Sequence, residues 1–105
     1  MKIQVHTDKN IKGSERLENF VTEVLTKSMK RYTDQITRLE VHLSDQNADK
    51  SSKDDIQCKI EARVKGLSPV AVNSRSEKID LAVNGAAGKL KSSLNSLTGK
   101  LKSKK

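Results

Sequence analysis

The 105-residue chain predicts an α+β fold, a four-stranded, mostly antiparallel sheet with two helices packed on one face, in the order β-α-β-β-β-α. Three observations carry this expectation. Ile56, Cys58, Ile60, Ala62 and Val64 alternate strictly with Gln57, Lys59, Glu61, Arg63 and Lys65, the period of a half-buried strand. Leu17, Phe20, Val21, Val24, Leu25 and Tyr32 recur at helical steps. Ile79, Val83, Ala86, Leu90, Leu94, Leu97 and Leu101 form a second helical stripe about 80° wide.

Taken in order, Ile3 and Val5 alternate with Lys2, Gln4 and His6 in a short first strand, and Asn10 to Gly13 turns the chain. Ser14 is placed to cap the first helix, with Glu15 and Glu18 in its first turn. Its last turns carry Lys27, Lys30 and Arg31, where positive charge suits the helix dipole. Ile36, Leu39, Val41 and Leu43 predict the second strand, with Arg38, Glu40 and His42 on its other face. A polar loop over 45–55 leads to the alternating third strand, which Gly66 to Pro69 turns into a fourth beginning at Val70. The face of the last helix opposite its stripe holds Gly85, Gly88, Ser92, Asn95, Ser96, Gly99 and Ser103. Interior glycines cost ~1 kcal/mol each relative to Ala, so packing of the leucine stripe must hold this helix.

The length suits one domain, expected over 1–103, with a basic tail at 104–105. Leu, Ile, Val and Phe number 25, enough for a lean core. No apolar run is long enough for a signal peptide or membrane span, and the single Cys58 excludes an internal disulfide or a cysteine-built zinc site. A reducing, cytoplasmic setting is expected. The net charge of +8 is unevenly spread: Asp80 is the last acid, and Lys89, Lys91, Lys100, Lys102, Lys104 and Lys105 follow it. Such asymmetry points to a polyanion or to a lysine-rich solubilising tail.

Catalytic chemistry finds no constellation. His6 and His42 lie at outward strand positions and lack further metal ligands at suitable spacing. The segment from Asp45 resembles the opening of a calcium loop, but Lys50 and Ile56 stand where glycine and glutamate are needed. Gly85-Ala86-Ala87-Gly88-Lys89 is followed by Leu90 where a phosphate loop needs Ser or Thr; its small residues suit close helix packing. Cys58 points inward as a small hydrophobe. The chain is therefore read as non-enzymatic, with no cofactor, metal or small-molecule substrate and no membrane partner.

Phe20 and Tyr32 are the only Phe, Tyr or Trp residues, both on the core face of the first helix, so the surface lacks the exposed Phe, Tyr or Trp on which single-strand readers of the RRM type stack bases. The last helix offers mainly Lys, Ser and Gly, suited to phosphate and shape contact. Two helices on an antiparallel sheet also resemble a double-stranded RNA-binding domain, which favours folded RNA.

The element order, Ile36-Thr37-Arg38-Leu39-Glu40-Val41-His42-Leu43, Ile79-Asp80-Leu81-Ala82-Val83-Asn84-Gly85 and the spacing of Lys89-Leu90, Leu94 and Lys100-Leu101-Lys102 together resemble the bacterial ribosome hibernation promoting factor and ribosome-associated inhibitor A family, also called sigma-54 modulation proteins, in its short form. The resemblance implies a factor bound to small-subunit rRNA in the mRNA and tRNA channel, inhibiting translation and preserving idle ribosomes under stress or in stationary phase. By position it implies RNA contacts at Lys89, Lys100 and Lys102 and at Lys27, Lys30 and Arg31. Ser92, Ser96 and Thr98 depart from the pattern, standing where relatives carry Arg or Lys, and fewer phosphate contacts flatten the salt dependence.

Arg75 and Lys78 join the candidates because the junction before the last helix presents a helix N-terminus to phosphate. Lys91 flanks the leucine stripe opposite Lys89; Lys91 and Lys102 also suit a structural role, snorkelling over it. A free monomer is expected. Two other functions fit the same residues: a protein-binding regulator, such as a transcription-factor modulator, using the mixed-charge sheet face and the acidic loop, and a general double-stranded nucleic-acid binder.

Overall fold

The computed structural model describes residues 1–45 and 56–103, with side chains as far as Leu97. The order is β1 (Lys2–Thr7), α1 (Glu15–Ser28), a 3₁₀ turn (Lys30–Tyr32), β2 (Ile36–Asp45), β3 (Ile56–Val64), β4 (Val70–Ser76) and α2 (Ile79–Ser103). The strands form one sheet in the order β1-β2-β3-β4. It is mixed: β1 runs parallel to β2, and β2–β3 and β3–β4 are antiparallel. A parallel pair needs a long crossover, and α1 supplies it.

The inward alternation holds across all four strands. Val5, Val41, Ile60 and Val72 lie side by side in register, as do Ile3, Leu39, Ala62 and Val70. Leu39, Val41, Leu43, Cys58, Ile60 and Ala62 are buried beneath the helices. In β2 the inward step from Ile36 to Leu39 is three residues rather than two. A register shift between Ile36 and Arg38 absorbs the extra residue, and the Thr37 hydroxyl donates to Arg63 O at 3.2 Å there.

Ser14 caps α1 as expected, its Oγ accepting the Leu17 N–H at 3.1 Å. The helix is shorter than its apolar pattern predicts. Met29 departs from helical backbone (φ −100°, ψ 16°), and Lys30–Tyr32 continue as a tighter 3₁₀ turn. The Thr33 hydroxyl donates to the Met29 and Lys30 carbonyls, satisfying acceptors that the helix end leaves free. Tyr32 still reaches the core and is buried. After β1, Asp8 ties the turn: its Oδ1 accepts the Asn10 N–H at 3.0 Å and its Oδ2 the Asp45 N–H at 3.2 Å. Ile11 in this turn is buried, a core residue that no periodicity announced.

Gly66 takes φ +77° in the β3–β4 turn, a conformation that L side chains rarely adopt. α2 starts at Ile79, and its stripe is buried at Val83, Ala86, Leu90 and Leu94, joined by Ala82 and Ala87. Gly85 does not face solvent: a Cβ built there would lie 2.4 Å from Ser74 Oγ on β4. The helix therefore approaches β4 along its small residues. No helix among the described residues is long and apolar enough to cross a membrane. The calcium-like loop at 46–55 and the tail at 104–105 lie outside the described residues.

Candidate nucleic-acid interface

The basic residues at the start of α2 and along it sort into two rows because eleven residues make just over three whole turns, drifting by only about 20°. Lys78, Lys89 and Lys100 form one row. On this side the helix meets β4, and Lys89 Nζ donates to Asn73 O at 2.7 Å. Lys78 stands at the helix start, where its carbonyl accepts the Ala82 N–H at 3.0 Å. Lys91 and Lys102 form the second row, on the opposite flank of the buried stripe. The side chains of Lys100 and Lys102 lie outside the described ones.

The Lys91 flank faces α1. The Tyr32 hydroxyl donates to Asn95 Oδ1, and Asn95 is one turn beyond Lys91. At the other end, Leu17 and Phe20 of α1 line a cavity of about 400 Å³ with Ile79 and Asp80 of α2, so the two helices run in the same direction. Lys27 lies two turns beyond Phe20 on this inter-helix side of α1. Lys30 and Arg31 are exposed in the 3₁₀ turn immediately before Tyr32, rather than in the last turn of α1. The break at Met29 is the reason, and the Tyr32–Asn95 bond docks that turn against α2. Lys27, Lys30, Arg31 and Lys91 thus flank one inter-helix groove.

Lys27 is partly neutralised by Glu23, 3.1 Å away on the same helix, an exposed pair of small energetic weight. Among the described residues Lys30, Arg31 and Lys91 have no acidic partner within bridging distance. Lys12 and Arg16 line the start of the same groove, beside Asp80. Neither is among the candidates that the sequence offers, although Arg16 stands one turn before Phe20 on the inter-helix flank of α1.

Arg75 is not at the junction with the last helix. β4 runs on through Ser76, and because Ser74 turns inward, Arg75 falls on the opposite sheet face, in register with Gln57. Lys78 therefore stands at the helix start without Arg75. Burial pushes the Cys58 thiol up to about 12, and among the described residues no group of three or more His, Cys, Asp or Glu could hold a metal ion.

Solved structures share this fold. The Protein Y N-terminal domain of Thermus thermophilus aligns with 92% of this chain and 99% of its own at TM-score 0.73 and 20% identity. A ribosomal subunit interface protein from Coxiella burnetii aligns with 94% of this chain and 99% of its own, at TM-score 0.73 and 17% identity. No curated protein sequence matches the chain. Residues 3–102, nearly its whole length, match the family described as Sigma 54 modulation protein / S30EA ribosomal protein. With the fold, the paired helices and that match in agreement, the chain belongs to the Sigma 54 modulation protein / S30EA ribosomal protein family.

Proposed function

We propose that this protein is a non-catalytic, ribosome-associated factor that binds small-subunit rRNA in the mRNA and tRNA channel, inhibits translation and preserves idle ribosomes under stress or in stationary phase. The observation that carries the reading is the inter-helix groove flanked by Lys27, Lys30, Arg31 and Lys91, within a chain of this family. These cations rest on the two helices and on the 3₁₀ turn that the Tyr32–Asn95 bond docks against α2, and they suit phosphates whose positions are fixed by a folded RNA. Lys78, Lys89, Lys100 and Lys102 extend the contact along α2, and the cytoplasm is the matching compartment. The free protein acts as a monomer over residues 1–103, with 104–105 as a basic tail.

Sedimentation with ribosomes, isolated subunits and naked duplex RNA through a salt series tests the reading. Co-migration with the small subunit is expected, weakening with salt. The triple substitution Lys30→Ala, Arg31→Ala and Lys91→Ala should abolish it at moderate salt and reduce the log–log salt slope by about 0.9 for each phosphate that is no longer neutralised. Equal binding to naked duplex would replace this function with general duplex binding. Absence of ribosome binding at low salt would refute it.

A further inference from the structure

The sheet face turned away from the helices carries charge in rows across the strands. Lys2, Arg38 and Arg63 stand side by side on β1, β2 and β3. Gln4, Glu40 and Glu61 form the next row, then His6, His42 and Lys59. Arg75 lies in the row beyond, beside Gln57. Facing pairs are thus alike in charge: Arg38 with Arg63, Glu40 with Glu61. Like charges directly opposite one another destabilise a sheet, so the pattern is a cost that folding does not explain.

What solvent meets on this face is basic. Lys2, Lys59, Arg63 and Arg75 are exposed, whereas Glu40 and Glu61 are half-buried. Glu40 is also neutralised by Arg38, whose Nη2 lies 2.9 Å from its carboxylate. The buried Nε of Arg38 has no hydrogen-bond partner among the described residues. His6 and His42, both exposed, stack with ring centroids 4.8 Å apart and planes 16° from parallel, beside Lys59. Flat imidazole faces next to cations are the elements with which open sheets hold unpaired bases and their phosphates. A duplex keeps its bases inside and has no use for the stack.

We propose that this open sheet face is a second RNA-binding surface, distinct from the helical groove, which takes an unpaired RNA strand by stacking a base on the His6–His42 pair and seating phosphates on Lys2, Arg63, Lys59 and Arg75. It goes beyond the helical-groove reading and stands or falls separately from it.

Fluorescence anisotropy with a labelled, unstructured RNA of about a dozen nucleotides tests the proposal on the full chain. Replacing Lys2, Lys59 and Arg63 together by Ala should weaken binding at least tenfold at low salt and lower the salt slope by about 2, at roughly 0.7 per single-strand phosphate neutralised. His6→Ala with His42→Ala should weaken it roughly tenfold with the slope unchanged, since stacking releases no counterions. The Lys30, Arg31 and Lys91 triple variant should keep oligonucleotide binding while losing the small subunit. Thermal melts guard the comparison, and relief of like-charge pairing predicts that Arg63→Ala alone leaves the midpoint unchanged or raised. Unaltered affinity in the Lys2/Lys59/Arg63 variant overturns the proposal. So does an equal loss in the helical variant, or displacement of the RNA by polyglutamate at matched charge, which would make an acidic protein the partner.

Discussion

Replacing Gly85 by Ala sets two known effects against each other at one atom. Alanine in a helix interior is favoured over glycine by about 1 kcal/mol. The new Cβ, however, would lie 2.4 Å from Ser74 Oγ, about 1 Å inside ordinary contact, and Ser74 is only 8% exposed. Either the hydroxyl is forced from its place or α2 lifts from β4, and overpacking of this kind costs roughly 1–3 kcal/mol. Gly85→Ala alone should therefore destabilise by about 1 kcal/mol. With Ser74→Ala in place, the nearest remaining atom is the residue-74 Cβ at 3.4 Å, and the same substitution should stabilise by up to about 1 kcal/mol. Urea melts of the four proteins give the coupling, expected near 2 kcal/mol. A stabilising single substitution, or a coupling within about 0.5 kcal/mol of zero, refutes the reasoning. The consequence reaches the interface, because lifting the helix withdraws Lys89 from Asn73 O, one turn away.

Three further outcomes are expected. Tyr32→Phe keeps the buried ring but loses the hydroxyl that donates to Asn95, so stability should fall by about 1 kcal/mol in denaturant melts and small-subunit binding should weaken as the Lys30–Arg31 turn loosens. Leu90→Ala, at a fully buried position of the α2 stripe, should cost about 2–5 kcal/mol by the same measurement. Cys58 should resist thiol reagents until the protein unfolds. Its thiol, raised from 9.0 to about 12, stays protonated in the fold while the unfolded chain ionises. That contribution is complete below pH 9 and is lost as pH rises towards 12, by at most about 1.4 kcal/mol per pH unit. Melts of Cys58→Ala across that range should lack this component.

The inter-helix groove turns two stretches distant in sequence into one surface. Lys30 and Arg31 belong to a short 3₁₀ turn and Lys91 to the middle of α2, and neither segment alone holds several cations in a fixed arrangement. The Tyr32–Asn95 bond brings the two together. A rigid array can match the spacing of phosphates in a folded RNA, whereas a flexible lysine tail is drawn to any polyanion. The difference separates the proposed function from a solubilising role and is what the salt series and the duplex control measure.

Local pattern decided which residues of the strands and helices are inside. The alternation of Ile56 to Val64, the cap at Ser14 and the stripe from Ile79 were legible because burial of a strand or helix face repeats at a fixed period along the chain. The basic character of the last helix and its two lysine flanks were legible for the same reason. What lies opposite what was not. The break at Met29, the shift between Ile36 and Arg38, the position of Arg75, the burial of Ile11 and the contact of Gly85 with Ser74 depend on neighbours many residues away. A period carries no information about register or about which element covers a face. Those are settled when all four strands and both helices share one core, and the helical groove and the histidine stack exist only at that level.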